Sequence, residues 1–196
     1  IFVENDETFN TYVAKSKSKE YIFIASVQTL STEYRFLETD NPDGTFQIIQ
    51  PRERNHEYSV EHFQDKFYIS TNWDAKNFRL METPVNAAQK ENWKEVIPHR
   101  PDILLQGFEI FKNYLVLNER RNGLTELRII NWTDNSEHYL DFGEDAYLAY
   151  ISVNPDFDTS LLRYGYTSLT TPNSIYDYNM ESREKTLLKQ EEVLGD

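Results

Sequence analysis

Histidine is the side chain most often used for general acid–base catalysis and for zinc binding, so the histidines are the first candidates for chemistry. The chain has four of them: His56, His62, His99 and His138. No two stand four residues apart and no His-Glu-x-x-His segment occurs, so the spacing of a helical zinc site is absent. We interpret all four as ordinary strand or loop residues, with His62 facing a sheet interior, and predict no metal site.

Paired carboxylates and a serine nucleophile are the other candidates. Glu191/Glu192 and Asp156/Asp158 are close in sequence, but no neighbouring residue type suggests a raised pKa, so we interpret both pairs as solvated acids. An α/β-hydrolase serine sits in a Gly-x-Ser-x-Gly turn. The six glycines are Gly44, Gly107, Gly123, Gly143, Gly165 and Gly195, and none flanks a serine in that spacing. We therefore predict no catalytic residue in this chain.

Two further patterns have simple interpretations, and two other features are absent. Lys15, Lys17 and Lys19 alternate along a predicted hairpin loop, too small a patch for nucleic acid. Asn131-Trp132-Thr133 matches the glycosylation sequon, and we interpret this match as chance. No glycine-rich phosphate loop occurs, so no cofactor is predicted. The absence of cysteine excludes disulfides and thiol nucleophiles.

Charge limits the choice of partners. The chain has 33 acidic and 20 basic residues, a net charge of −13. Nucleic acid needs a basic face, so it is disfavoured as a partner, whereas cationic partners are favoured by long-range attraction. No stretch approaches the roughly 20 apolar residues of a membrane helix. The first residues show no signal-peptide pattern, so we expect a cytoplasmic protein.

The elements that would carry these residues repeat four times. Aromatic or aliphatic runs begin at Tyr21, Phe67, Tyr114 and Leu161, which are 46, 47 and 47 residues apart. A second and a third short apolar element follow each run. Repeats of 40–50 residues made of short strands are typical of β-propeller blades, and such a blade needs neighbours to bury both of its faces.

We therefore predict an all-β fold: a partial β-propeller of about four consecutive four-stranded antiparallel blades over residues 1–196. The predicted blades span residues 8–52, 57–99, 103–142 and 146–190. Asn41-Pro42-Asp43-Gly44 predicts a turn in which glycine accepts a positive φ. Asn122-Gly123 predicts a type I′ hairpin turn. Residues 33–39 alternate like a half-buried strand, and Phe9, Tyr12 and Val13 suggest an irregular start. Residues 86–92 could form a helical turn, although we favour an irregular loop.

Several segments resemble, in order, one known family. They are residues 41–44, 51–54, 75–80, 92–100 and 163–172, the last reading Arg-Tyr-Gly-Tyr-Thr-Ser-Leu-Thr-Thr-Pro. This series is similar to the propeller of the oligopeptidase B (protease II) group of the prolyl oligopeptidase family of serine peptidases. Residues 189–193 resemble the exit from that propeller, and residues 191–196 look like the start of a connection.

The resemblance implies a parent enzyme that cleaves short peptides after Arg or Lys. Its Ser-Asp-His triad lies on an α/β-hydrolase domain outside this chain, and its seven-bladed propeller covers the active site and excludes folded substrates. The implied partners are cationic peptides and the hydrolase domain of the same protein. No catalytic residue carries over to any position here, so the chain alone should be inactive.

Two hypotheses remain open at this point: a gating segment of such a peptidase, or a stand-alone propeller that acts as an interaction scaffold. A Gly-x-Ser-x-Gly segment encoded beyond residue 196 would favour the first. An incomplete ring should also leave two apolar blade faces open, so we expect the isolated chain to self-associate through them.

Overall fold

The computed structural model describes residues 2–193. Four four-stranded antiparallel sheets make up nearly all of the regular structure, which confirms the all-β prediction. The chain divides into two compact units, residues 1–101 and 102–196, each with two of the sheets. Ile1 and the end of the predicted connection, residues 194–196, lie outside the described part.

The first unit holds the first and second sheets. The strands of the first sheet are β1 (Asn10–Lys15), β2 (Tyr21–Gln28), β3 (Ser31–Glu38) and β4 (Gln47–Gln50). Those of the second are β5 (Tyr58–Phe63), β6 (Lys66–Thr71), β7 (Arg79–Pro84) and β8 (Lys94–Ile97). Two short 3-10 helices, Val85–Ala87 and Lys90–Asn92, lie between β7 and β8.

The second unit holds the third and fourth sheets. The strands of the third sheet are β9 (Ile103–Ile110), β10 (Tyr114–Arg121), β11 (Leu124–Asn131) and β12 (Glu137–Tyr139). Those of the fourth are β13 (Tyr147–Ile151), β14 (Leu161–Ser168), β15 (Ser174–Asn179) and β16 (Lys185–Gln190). Within residues 2–193 no helix has the length and apolar character needed to cross a bilayer.

Each sheet is a simple meander in which consecutive strands pair. The four repeated apolar runs of the sequence form the second strands, which are inner strands with neighbours on both sides. Because four antiparallel strands alternate in direction, the chain enters the first strand and leaves the fourth at the same end of the sheet. We call this the connector end of a sheet, and the opposite one the distal end.

The core of each unit lies between its two sheets. In the first unit Phe23 and Phe36 meet the ring of Phe67, with centroid distances of 5.8 and 4.8 Å. In the second unit Val116 and Leu127 pack with Tyr164 and its neighbours. These side chains alternate along their strands, which places one face of each sheet in the core. The opposite face of each sheet is called here its outward face.

The outward face of the first sheet is covered over β2 and β3, contrary to our expectation, and is exposed at Val13 of β1. Ile24 and Leu37 lie on this face and are buried. Residues 2–9 run across it, with the Phe2 ring 4.3 Å from the guanidinium of Arg35 and the Phe9 ring 4.0 Å from that of Arg52. Buried apolar residues therefore flank both faces of β3, and its predicted two-residue alternation of burial is wrong.

The outward face of the fourth sheet is open within the described residues. Leu148, Tyr150 and Leu161 lie on it and are exposed. The Tyr150 ring lies against Gly165, where an added Cβ would come within 2.1 Å of it. Any larger residue at position 165 would therefore displace the Tyr150 side chain.

Gly123 and Gly44 both lie in predicted turns, but for different physical reasons. Asn122 and Gly123 have φ values of 50° and 87°, as the predicted type I′ turn requires. Gly44 closes the predicted turn at Asn41 with an N–H···O bond of 3.0 Å, but its φ is not positive. Space explains this glycine instead, because a Cβ would lie 2.8 Å from the Leu37 side chain.

Two local features of the first unit differ from the favoured predictions. The start of the first sheet is a regular six-residue strand, β1, although its side chains are mostly exposed and give little apolar pattern. The segment after β7 contains two 3-10 helices, so the alternative of a helical turn is found in place of the favoured irregular loop. Trp93 explains the compact form, because its ring is buried and its indole N–H donates to the Ala88 carbonyl at 2.8 Å.

A side-chain hydroxyl of the second sheet supplies hydrogen bonds at an irregularity in the first sheet. The pairing of β3 with β4 shifts register between Tyr34 and Arg35, the mark of a β-bulge. The Tyr58 hydroxyl lies at this point, accepts from the Tyr34 N–H at 2.8 Å and donates to the Gln50 carbonyl at 2.6 Å. The two sheets are therefore joined by buried hydrogen bonds as well as by apolar contacts.

Candidate functional site

Ser18 and His62 form the contact that most resembles a nucleophile and its base. Ser18 Oγ lies 2.8 Å from His62 Nδ1. In a serine triad the serine contacts Nε2 and a carboxylate holds Nδ1. Here the serine occupies Nδ1, and Nε2 is buried with no carboxylate bonded to it in residues 2–193. The pair therefore lacks the group that would orient and charge-balance a catalytic base.

His62 is instead a core residue, as the sequence suggested. It is fully buried against the rings of Tyr21 and Phe67, at centroid distances of 4.4 and 5.8 Å. Burial lowers the pKa of His62, because the charged imidazolium is poorly solvated there. The hydrogen bond with Ser18 joins the β1–β2 loop to the second sheet.

The other histidines also lack a carboxylate partner among the described residues. His56 Nε2 lies 3.0 Å from the buried Thr71 hydroxyl, and His138 Nε2 lies 2.9 Å from the Tyr178 hydroxyl. Burial lowers the pKa of both histidines. His99 lies in the loop after β8, where its Nε2 is buried without a partner. No catalytic triad is assembled in residues 2–193.

The two candidate carboxylate pairs lie on the surface. Asp156 and Asp158 follow β13, and Asp158 meets Lys112 at 2.7 Å with both side chains exposed. Glu191 and Glu192 follow β16 and are also exposed. No group of three or more His, Asp or Glu side chains in the described part is arranged to hold a metal ion.

The remaining sequence candidates take part in local structure. Lys15 ends β1, while Lys17 and Lys19 lie in the predicted hairpin loop. The Lys17 backbone N–H donates to Glu61 of the second sheet at 3.0 Å. Asn131 ends β11, and its side-chain oxygen accepts the Thr133 N–H at 2.8 Å.

The connector ends are our remaining candidate surfaces. At these ends the segments that enter and leave a sheet lie beside the loop between its second and third strands, so a side chain there can contact the polypeptide that flanks the sheet. At the connector end of the fourth sheet, Glu144 precedes β13 and accepts hydrogen bonds from four hydroxyls. The donors are Tyr166 at 2.8 Å, Ser168 at 2.9 Å, Thr170 at 2.9 Å and Thr171 at 3.2 Å. These bonds lower the pKa of Glu144, the Tyr166 hydroxyl most of all. We call this group the Glu144 clamp.

The clamp fixes the loop between β14 and β15, residues 169–173. The Ser168 N–H donates to the Thr171 carbonyl at 2.9 Å, and the Ser174 hydroxyl donates to the Pro172 carbonyl at 2.7 Å. Burial and the hydrogen bond to Glu144 raise the pKa of Tyr166 to about 12, so its hydroxyl keeps its proton at neutral pH. Leu169 projects from this fixed loop and is 94% exposed.

An ionic group fixes the N-terminal segment to the outward face of the first sheet. Glu33 is buried and meets Arg35 at 2.6 Å and Arg52 at 3.1 Å. Arg52 also meets Glu4 at 2.7 Å. The hydrogen bond from Arg52 lowers the pKa of Glu4 to about 2. The arrangement holds the chain in place and presents no free nucleophile or base.

Comparison with known proteins decides the family. A profile described as "Prolyl oligopeptidase, N-terminal beta-propeller domain" matches residues 1–191. This chain belongs to the prolyl oligopeptidase family. The four sheets are therefore blades of its N-terminal propeller, and the family consists of serine peptidases.

Named relatives support this assignment over the whole chain. "Dipeptidyl aminopeptidase BI" of Pseudoxanthomonas mexicana is 37% identical, and the match covers 100% of this chain and 27% of the relative. "Protease 2" of Moraxella lacunata is 30% identical, with 100% and 28% covered. This chain thus spans just over a quarter of the length of these relatives.

A solved structure agrees with the sequence comparison. Oligopeptidase B from Trypanosoma brucei, in a closed form with covalently bound antipain, superposes with a TM-score of 0.87. It is 29% identical, and the match covers 97% of this chain and 28% of that one. The predicted resemblance is thereby confirmed.

Sequence reasoning missed the Glu144 clamp. The signal was present as five hydroxyl side chains in six positions, Tyr166–Thr171, interrupted only by Leu169. What the sequence could not supply was the acceptor, because Glu144 stands 22 residues before Tyr166 and only the pairing of β13 with β14 brings them together.

Proposed function

We propose that this propeller is the substrate-gating segment of a serine oligopeptidase that cleaves short peptides after Arg or Lys. The observation that carries the proposal is the match of residues 1–191 to the family's propeller, together with its likeness to an oligopeptidase B structure. Since no triad is assembled in residues 2–193, bond cleavage is assigned to a hydrolase domain elsewhere in the parent protein.

Charge supports the choice of cationic peptides. The propeller has a net charge of −13, so its field attracts Arg- and Lys-containing peptides and raises their encounter rate. Screening weakens such attraction, with a Debye length of about 8 Å at physiological ionic strength. In the parent enzyme, kcat/KM for an Arg peptide should fall as salt is added. A neutral peptide cleaved by the same enzyme is the control, and equal salt responses of the two would contradict the charge argument.

The specificity itself needs a substrate panel on the intact parent enzyme. Peptides that differ only in the residue before the cleaved bond, Arg, Lys, Pro or Ala, should rank with Arg and Lys first. The relatives carry both dipeptidyl aminopeptidase and Protease 2 names, so each peptide should be tested with a free and with a blocked N-terminus. Cleavage of blocked Arg peptides supports an endopeptidase. If the enzyme cleaves only peptides with a free N-terminal amine two residues before the cleaved bond, it is a dipeptidyl aminopeptidase and not an endopeptidase.

The open outward face of the fourth sheet favours a second candidate, a propeller scaffold that binds another protein. The coding sequence separates the two. A Gly-x-Ser-x-Gly segment downstream supports the peptidase, whereas a reading frame without such a segment supports the scaffold.

A further inference from the structure

Leu169 is an apolar side chain presented by a loop that is otherwise fixed. Its side chain is 94% exposed, although the hydroxyls on both sides of it are bound to Glu144. An exposed leucine on a mobile loop needs no explanation. On a fixed loop, however, it can be buried by a partner without further loss of loop entropy, which is how preorganised contacts gain affinity.

The position of the loop indicates which polypeptide is beside it. Asn173, the last loop residue, accepts the Glu191 N–H at 2.9 Å through its carbonyl, and its side-chain amide donates to the Glu191 carboxylate at 3.1 Å. Glu191 follows β16, so the loop is bonded to the segment by which the chain leaves the fourth sheet. In the relatives, roughly 72% of the length lies outside the matched region, since the match covers 28% of "Protease 2".

We propose that Leu169 inserts into an apolar recess on the hydrolase part of the same polypeptide, and that Glu144 is a positioning residue that holds Leu169 for this contact. The proposal rests on the proposed function, because it requires a hydrolase part in the parent protein. Leu169 and the clamp thereby couple the fourth sheet to the domain that cleaves the peptide. Contact of Leu169 with a second copy of the chain, or with a peptide substrate, is an alternative outcome that the crosslinking experiment below distinguishes.

Thiol labelling of the intact parent tests burial of Leu169 without relying on activity. Residues 1–196 contain no cysteine, so Leu169→Cys introduces a single site in this part of the protein. Ser182→Cys is the matched control, since Ser182 is exposed in the turn at the distal end of the same sheet. With peptide mapping by mass spectrometry, Leu169→Cys should react with maleimide at least ten-fold more slowly than Ser182→Cys. Equal or faster reaction would overturn the proposal.

A second substitution tests the clamp. Glutamine in place of Glu144 replaces one acceptor oxygen by a donor amide, so the four hydroxyls can no longer all donate to residue 144. In the Leu169→Cys background, Glu144→Gln should speed labelling about three- to ten-fold. Glu184→Gln is the control, because Glu184 accepts a hydrogen bond from the Ser182 hydroxyl at the distal end of the sheet, and it should leave the labelling rate at residue 169 unchanged. An unchanged rate at residue 169 would refute the positioning role.

Crosslinking identifies the occupant. A benzophenone amino acid at residue 169 of the parent should crosslink, on irradiation, to residues beyond 196 of the same chain. Crosslinks between two copies, crosslinks only to added peptide, or no crosslinks would each overturn the proposal. The wild-type peptidase assay is read separately: an inactive parent argues against the proposed function, while an active parent with free labelling at residue 169 rejects only this inference.

Discussion

Replacing Tyr58 by phenylalanine removes one buried hydroxyl that serves two backbone groups at the bulge of the first sheet. The Tyr34 N–H would lose a hydrogen bond of 2.8 Å to this hydroxyl, and the Gln50 carbonyl would lose one of 2.6 Å from it. A buried polar group left without a partner costs about 1–3 kcal/mol. Partial relaxation of two such groups gives an expected loss of roughly 2–4 kcal/mol, or about 30- to 700-fold in the local opening equilibrium.

Amide hydrogen exchange in the intact parent measures this loss where it occurs. The Tyr34 amide should exchange faster by that factor in Tyr58→Phe, with smaller effects away from the first and second sheets. Tyr12→Phe is the control, because Tyr12 is half-exposed and, among residues 2–193, its hydroxyl bonds only the Tyr34 hydroxyl, at 2.8 Å. Equal exchange of Tyr34 in the two variants would show that the Tyr58 hydroxyl does not bridge the bulge.

Three further outcomes are expected. Gly123→Ala should cost about 1 kcal/mol because φ is 87°, whereas Gly107→Ala, with open space and no positive φ, should be near neutral in thermal unfolding. Burial lowers the pKa of His62, so the unfolded chain takes up its proton first and stability should fall as the pH drops below about 6.5. His62→Gln should show a smaller fall in melting temperature between pH 7.5 and 5, and an equal fall would contradict this. The isolated 196-residue chain should self-associate through the open face of the fourth sheet, and light scattering should show less association for Leu148→Lys/Leu161→Lys. A monomer over a wide concentration range would contradict the self-association.

The sheets were predictable from sequence because the second strand of each sheet carries a run of apolar side chains, most of which are buried. The runs begin at Tyr21, Phe67, Tyr114 and Leu161, and their even spacing indicates the repeat. β1 was missed as a regular strand because it is mostly exposed and its side chains follow no burial pattern.

Contacts between distant segments were not predictable. Gly44 was correctly placed in a turn, but its reason, the nearness of the Leu37 side chain, depends on packing rather than on turn chemistry. Residues 2–9 cover the first sheet through contacts with Arg35 and Arg52. No local sequence pattern predicts that this segment packs there. The Glu144 clamp likewise depends on which strand lies beside which.

Entry and exit of every sheet at one end has a consequence for how such proteins change over time. Each unit of about 47 residues begins and ends at the same end of its sheet. Adding or removing one unit therefore does not change the end at which the chain continues. Gene-level gain or loss of whole repeats would therefore leave the flanking polypeptide attached on its original side. With an odd number of strands per unit, each such event would have moved the polypeptide that follows the repeat to the opposite side.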